Sequence, residues 1–465
     1  MIKFPCVLIF LLGLLLTSTT PQRAVAQIND IEARQRSVLA QPPVRHRPPL
    51  TTDDHEHLLR SWWGGRVWLM QHGIDIVPVY MLEAAGNVSG GLSHGSAYTG
   101  RFWVDLEIDW NKLAGLKGLK SHTVFVSNSG RNLSKDRLNN DPYAVLHLYG
   151  RLGTFVKLQF AYVTQDLMKG HLQIGAGRTN QALFFDSSPL YCMFLSKAIC
   201  RVPRALTGSN PNGFHSTGRS NWGIYIRYRP ITPFYMQVGA FESTPLHGGA
   251  SGFNWSFRQT NGVNLPFEIG WQPGGSVGER SSHFALGGYY DNAPVNDVYW
   301  DDLGTARVLT GLPGRQSHSH TAMWAQFDHM IKRNTPSNVG GLIIFGNFTR
   351  TDPHISAFKQ QATIGFEDVG EIRGRPKDGF GVQITYAWVS DEMRAGQKLL
   401  YAQFGRYPAG LYSIQSHEMI FEAQYSYHAH HAVDLQPDCQ YIVRPNSQAG
   451  IRNAIVIGGR ARVNF

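Results

Sequence analysis

Closely spaced histidines are the first residues in this chain that suggest chemistry. His318 and His320 in His318-Ser319-His320, and His428 and His430 in His428-Ala429-His430-His431, are two residues apart. On a strand that spacing puts both imidazoles on one face, as a metal ion requires. Both groups fall at the ends of strand-like segments, with no cysteine or carboxylate set beside them. They read as turn and loop histidines, and no metal is expected. Asp301-Asp302 is an acidic pair in a loop and reads as solvated rather than catalytic. There is no G-x-S-x-G elbow and no phosphate-binding glycine loop. Catalysis has little to rest on, and no cofactor is expected.

A second set of functional side chains is spread over many segments. Arg101, Asp105, Glu107, Lys157, Gln159, Arg227, Arg229, Gln326, Asp328, Gln383, Glu418, Glu422, Arg460 and Arg462 lie on the polar sides of alternating stretches. Carboxylates, amides and guanidinium groups facing a wet lumen can hydrogen-bond a polyhydroxylated solute as it sheds water. Neighbouring aromatic faces can stack on sugar rings. Selectivity then follows from pore radius and from the donors and acceptors along the path. The plainer alternative is that these charges keep the lumen wet and pair with one another.

The elements that must position these residues are strands. In Arg101–Trp110, Phe102, Val104, Leu106, Ile108 and Trp110 share one face, and Arg101, Asp105, Glu107 and Asp109 the other, interrupted only by Trp103. Trp222, Ile224, Ile226 and Tyr228 oppose Arg227 and Arg229. Phe380, Val382, Ile384, Tyr386 and Trp388 oppose Gln383 and Thr385. Met419, Phe421, Ala423, Tyr425 and Tyr427 oppose Glu418, Glu422 and Gln424. The final segment places Ile455, Ile457, Ala461, Val463 and Phe465 against Arg460, Arg462 and Asn464. Period-2 alternation means strands with one apolar and one polar face. Aromatics near segment ends and charge in mid-strand suit lipid outside and water inside. A last strand ending on the aromatic Phe465 is expected to close a sheet on the first strand and to address the barrel assembly machinery. A soluble sandwich is the competing reading of the same alternation.

The chain start and the composition favour a membrane. Lys3, the apolar run Val7–Leu16 and the small-x-small site Ala24-Val25-Ala26 read as a secretion signal cut near Ala26. Residues 1–26 are therefore the expected signal and 27–52 a Pro/Arg-rich tether. Residues 53–73 are a helical segment, with a helix over Asp53–His72 weakened at Gly64-Gly65. Residues 74–465 make about sixteen strands. Only 16% of residues are charged, against 12% aromatic and 49 glycines. That is little charge for a soluble surface. The net charge of +10 falls to +8 without Lys3 and Arg23. No basic helix accompanies it, so nucleic acid is not expected as a partner, whereas outer-membrane lipids are.

The connections alternate in length. Long ones are expected at 87–99, 130–152, 180–219, 244–265, 293–320 and 391–417. Short ones are expected at Ile231–Pro233 and His430–Ala432. Long outer loops and short periplasmic turns are the pattern of outer-membrane barrels. Thr351–Pro353 is short where a long loop is due. The third outer loop is the longest and holds Cys192 and Cys200, close enough to staple a hairpin within it. Two free thiols, or a pairing of one with Cys439, are the alternatives.

At this point several motifs resemble one family. Trp68-Leu69, His72-Gly73-Ile74-Asp75, Glu83, Gly86-Asn87-Val88-Ser89-Gly90-Gly91, Tyr98-Thr99-Gly100, Gly130-Arg131-Asn132-Leu133-Ser134 and Leu435-Gln436-Pro437-Asp438-Cys439-Gln440-Tyr441-Ile442 are similar to signatures of the carbohydrate-selective porins of the OprB family. The resemblance spans nearly all of the mature chain. It implies a sixteen-stranded barrel with an N-terminal helical segment that passes glucose and related sugars, and a cysteine pair at Cys192 and Cys200. The family's Asp-Trp-Gly-Gly-x-Arg stands here as Ser61-Trp62-Trp63-Gly64-Gly65-Arg66, which bears on how the helix packs. Cys439 replaces a larger apolar residue and is expected to be free and shielded.

The combined reading is an all-β transmembrane antiparallel barrel in the outer membrane of a Gram-negative bacterium. It is monomeric or weakly associated, and sugars cross it passively down their gradient. An outer-membrane barrel enzyme acting on lipid or glycan would need a Ser/His/acid set on one rim. A secreted β-rich binding protein would be soluble without detergent.

Overall fold

The computed structural model describes residues 57–140, 143, 145–148, 156–210, 212–214, 219–244, 251–257, 260–274, 280–334 and 340–465. The signal, the tether and residues 53–56 of the expected helix lie outside them. Eighteen strands run through the described residues. They are β1 (Ile74–Gly91), β2 (Gly95–Asp109), β3 (Leu119–Gly130), β4 (Lys157–Leu167), β5 (Leu172–Thr179), β6 (Asn221–Ile231), β7 (Phe234–Ser243), β8 (Gly262–Trp271) and β9 (Ser282–Asp291), then β10 (Val295–Asp301), β11 (Gly314–Ser317), β12 (His320–Arg333), β13 (Gly341–Thr351), β14 (Phe358–Val369), β15 (Gly379–Val389), β16 (His417–His430), β17 (Val433–Val443) and β18 (Arg452–Asn464). Sixteen of them close into one barrel, each antiparallel to both neighbours, while β10 and β11 form a separate hairpin in the β9–β12 connection. Closure comes from β1 pairing with β18, in register from Val79 opposite Asn464 to Asn87 opposite Val456. Closure leaves the barrel no open edge strand, as a hydrocarbon surround demands.

The sheet is apolar outside and polar inside. On β6, Ile224, Ile226 and Tyr228 are exposed while Arg227 and Arg229 are buried. On β8, Leu265, Phe267, Ile269 and Trp271 are exposed while Glu268 is buried. A soluble sheet would reverse that arrangement. A lipid-facing charge near mid-membrane costs about 2–4 kcal/mol, so the alternation is what holds each strand in register.

Both chain ends of the barrel lie at its inner rim. The connections on that side are brief, such as 168–171, 232–233 and 431–432, and the opposite side carries 131–156, 180–220, 292–319 and 390–416. One expected boundary changes. The long loop over 87–99 is instead strand on both sides, because β1 runs to Gly91 and β2 starts at Gly95, leaving residues 92–94 as the turn. The join at Thr351–Pro353 is a true short turn, and the count of sixteen stands without another hairpin.

The N-terminal helix is shorter than its apolar pattern suggests. Arg60, Trp62 and Trp63 adopt φ of 51°, 51° and 54° and Gly64 a φ of 93°. A right-handed helix cannot pass through left-handed residues, so it occupies only Gly65–Gln71. Arg66 anchors it at the seam: its Nη2 donates to the Phe465 carbonyl at 2.5 Å, and its guanidinium sits 4.6 Å over the Trp62 ring. Trp63, the residue gained relative to the family motif, is fully exposed and takes no part in that packing.

Candidate functional site

The described residues of the β5–β6 connection, 180–210, 212–214 and 219–220, fold into the barrel instead of leaving it. Phe184, Phe185, Leu206 and Phe214 pack inside against Tyr225, Phe241, Tyr289 and Trp324 of the wall. Glycines make the room. A Cβ on Gly175 would lie 2.1 Å from the Tyr225 ring, and one on Gly223 2.1 Å from Phe241. A second cluster joins Leu195, Ala198 and Ala205 of this loop to Tyr143, Val145 and Leu146 of the β3–β4 connection and to Ile420, Ile442 and Val456 of the wall. The disulfide between Cys192 and Cys200 ties the loop's middle.

The polar wall residues hold this loop by its backbone. Glu422 accepts from the Leu195 and Ser196 amides, each at 2.8 Å, and from the Ser196 hydroxyl at 2.6 Å. Gln383 braces Glu422 at 2.6 Å. Gln326 accepts from the Tyr191 hydroxyl at 2.8 Å and donates to the Ser187 carbonyl at 3.3 Å. Asp328 accepts from Ser188 at 3.2 Å. Glu268 takes four donors: Tyr235, Gln237, Trp324 and the Asp186 amide. Arg460 donates to the Cys192 and Phe194 carbonyls at 3.0 and 2.8 Å. Loop carbonyls and amides taken from water must find partners, and the wall supplies them.

The sequence-selected residues therefore divide. Gln326, Gln383, Glu422 and Arg460 are buried beneath the loop. Glu418 is buried at the outer rim, where it accepts from the Ser447 amide. Arg227 donates to Gln237 at 2.7 Å and lies against the Phe184 carbonyl. Arg229 bonds Gln272 and lies 5.2 Å over Tyr235. Gln159 departs from the simple alternation. Val124 pairs with Phe160 but Phe125 with Leu158, so a bulge on β4 shifts the inward face to Phe160 and Tyr162. Lys157, opposite the buried Val126, stays on the inward side.

The β2–β3 wall and its neighbour β18 keep partly open polar groups. Asp105, Glu107 and Arg462 are half-buried, and Glu107 pairs with Lys120 at 2.8 Å. Arg101, buried beside them, bonds Asn128 at 2.7 Å. The residue that interrupted the alternation of β2 stands among them. Trp103 faces the lumen, Arg462 lies 6.0 Å over its ring, and its indole hydrogen-bonds Asp105. An aromatic on the polar face of a strand was the signal for it. Glu268 carries no such signal, because a single polar residue between Phe267 and Ile269 sets up no spacing pattern.

The other early candidates resolve into structure. Asp301 is buried, not solvated; it accepts from the Leu303 and Thr305 amides and the Thr310 hydroxyl and so shapes a turn. His428 pairs with Asp434 at 2.7 Å, a carboxylate brought close by the β16–β17 hairpin. His320 is buried, and no metal-holding group of three or more His, Cys, Asp or Glu occurs among the described residues. Cys439 is buried on β17, opposite Ala423 of β16 and Ile457 of β18.

Comparison with known proteins matches this geometry. Residues 93–465 match the model of the carbohydrate-selective porin, OprB family. Porin B of Pseudomonas aeruginosa is 29% identical over 437 residues, covering 90% of this chain and 94% of that one. A putative porin, QuiX, of Acinetobacter baylyi is 23% identical over 434 residues, covering 89% and 94%. The high-pH structure of Pseudomonas putida OprB superposes with a TM-score of 0.82 at 28% identity, covering 89% of this chain and 99% of that one. Barrel, constricting loop and relatives give one function, the passage of carbohydrates across the outer membrane without catalysis: the chain belongs to the OprB family of carbohydrate-selective porins.

Proposed function

We propose that the sugar path runs between the β5–β6 loop and the wall of β2, β3 and β18. Trp103 is its stacking surface, and Asp105 and Arg462 are its hydrogen-bonding rim. The observation that carries this reading is the half-buried indole on an otherwise polar lumen face, flanked by a carboxylate and a guanidinium. A pyranose presents apolar C–H faces and a rim of hydroxyls. An indole fits the first. A carboxylate acceptor and an Arg donor fork fit the second. The solute exchanges part of its hydration shell for these groups and leaves down its gradient, so weak, reversible contact is what the chemistry requires.

Glucose and related sugars are the solutes this surface suits. Glu107 extends the polar lining, with Arg101 and Lys157 buried behind it. The buried anchors Gln326, Gln383, Glu422 and Arg460 set the width of the pore without touching solute. The finer division of the chain into a signal cut near Ala26, a tether over 27–52, a helical segment over 53–73 and a barrel over 74–465 belongs to the same reading. So do recognition of the strand ending at Phe465 by the assembly machinery and solvation of the outer wall by lipid. Sugar block of ion current through single channels tests the path. Trp103→Ala should weaken block by about 0.5–1.5 kcal/mol, roughly two- to tenfold. Unchanged block with a normal barrel would move the sugar path elsewhere.

A further inference from the structure

Two charged residues lie on the outer, lipid-side face of the barrel at its outer rim. Arg178 is opposite Trp222 across β5 and β6, and Trp222 shares its face with the exposed Ile224 and Ile226. Glu242 follows the inward Phe241 on β7. Both are nonetheless buried. What covers them is the segment 251–257 of the β7–β8 connection, which crosses the outer ends of β4, β5 and β6 on the outside of the barrel.

The segment is fastened at three points. Its Ser251 carbonyl accepts from the Leu158 amide at 3.0 Å, at the end of β4 that β5 does not reach. Arg178 donates to the Asn254 carbonyl and to Ser220. Just beyond the segment, Thr260 donates to Glu242. Phe257 then stacks on Trp222 and Trp255 packs tilted against it, with ring centroids 5.1 and 5.5 Å away. The guanidinium of Arg178 lies 5.8 Å from the Trp255 ring. Phe253, Trp255 and Phe257 still leave 53%, 44% and 62% of their surface exposed. That surface continues the exposed apolar wall of Ile224, Ile226, Val238 and Val263.

We infer that this strap is a membrane-interface anchor that seats Phe253, Trp255 and Phe257 at the boundary between the acyl chains and headgroups of the outer leaflet. The occupant is lipid because the patch is continuous with the lipid-facing wall and sits at its rim, where aromatic rings are most favourable. The strap also screens Arg178 and Glu242 from hydrocarbon by giving their polar atoms protein partners.

The test uses the full-length protein refolded into phosphatidylcholine vesicles, with barrel formation confirmed by heat-modifiable gel migration. Emission is compared with that of Trp255→Phe, a conservative change, so that the difference reports Trp255 alone. Lipids brominated near the headgroup should quench that difference signal strongly, and lipids brominated at the chain ends only weakly. No quenching by either lipid would overturn the proposal. A second variant, Phe253→Cys, checks the remaining occupant. Efficient oxidative cross-linking of two barrels through this position would show that the face meets another copy of the chain, and would also overturn it.

Discussion

Glu83 and Arg460 stand directly opposite each other across the seam that closes the barrel, with Arg460 Nη2 2.9 Å from Glu83 Oε1. The pair is a knot rather than a simple bridge. His147 reaches Glu83 at 2.7 Å, the Leu148 amide donates to Glu83, and Arg460 holds two carbonyls of the pore loop. One cross-strand pair thus fixes both the β3–β4 and the β5–β6 connections to the seam.

Removing one partner should be far worse than removing both. Arg460→Met leaves Glu83 buried without its guanidinium partner, which costs about 3–5 kcal/mol. Glu83→Gln with Arg460→Met should recover much of that loss. Urea denaturation of the detergent-solubilised barrel measures both. The single variant should also show noisier single-channel currents as the loop loosens. Equal stability of single and double variants would mean the two charges do not depend on each other.

The Cys192–Cys200 disulfide should be present in the exported protein and recovered as one linked peptide under non-reducing digestion. Replacing both residues with Ser should cost about 2–4 kcal/mol and broaden the conductance distribution. Sugar block unaffected by reduction would show that Glu422, the hydrophobic clusters and Gln361, which accepts from the Ala205 amide and donates to the Ala198 carbonyl, hold the loop without the bridge.

Arg227→Gln with Arg229→Gln should leave sugar block unchanged, because Arg227 lies under Phe184 and Arg229 over Tyr235. Arg462→Gln should weaken it, since that guanidinium flanks Trp103. Titration of ion-current block with glucose compares them. A larger effect from the first pair would place the solute on the β6 side of the barrel.

Lys197 on the pore loop should give the channel a pH response near neutrality. Burial, then the neighbouring Arg204, Arg101 and Arg219 cations, brings its ammonium down to about 7. Below that pH the side chain is charged and adds to anion preference; above it the charge is lost and the reversal potential should move toward cations. Lys197→Gln should flatten this step. A step that survives in the variant belongs to another group.

Much of the architecture was legible in the chain itself. Alternation of Ile224, Ile226 and Tyr228 with Arg227 and Arg229 specifies both a strand and which side meets lipid, because a one-residue slip would put guanidinium groups into hydrocarbon. Repeated around the chain, and with long connections on one side only, it determines a barrel of about sixteen strands and a polar lumen. The motifs of residues 68–100 and 435–442 pointed to the family. Tertiary structure alone decided which polar residues still meet water. Gln326, Gln383, Glu422 and Arg460 have the same local pattern as Asp105 and Arg462, but a loop distant in sequence lies over the first group and not the second. Its backbone must be hydrogen-bonded once it enters the barrel, and only side chains already pointing inward can do that. Alternation sets the direction a side chain points. What it meets there depends on where residues 180–220 come to rest, which no period along a strand records.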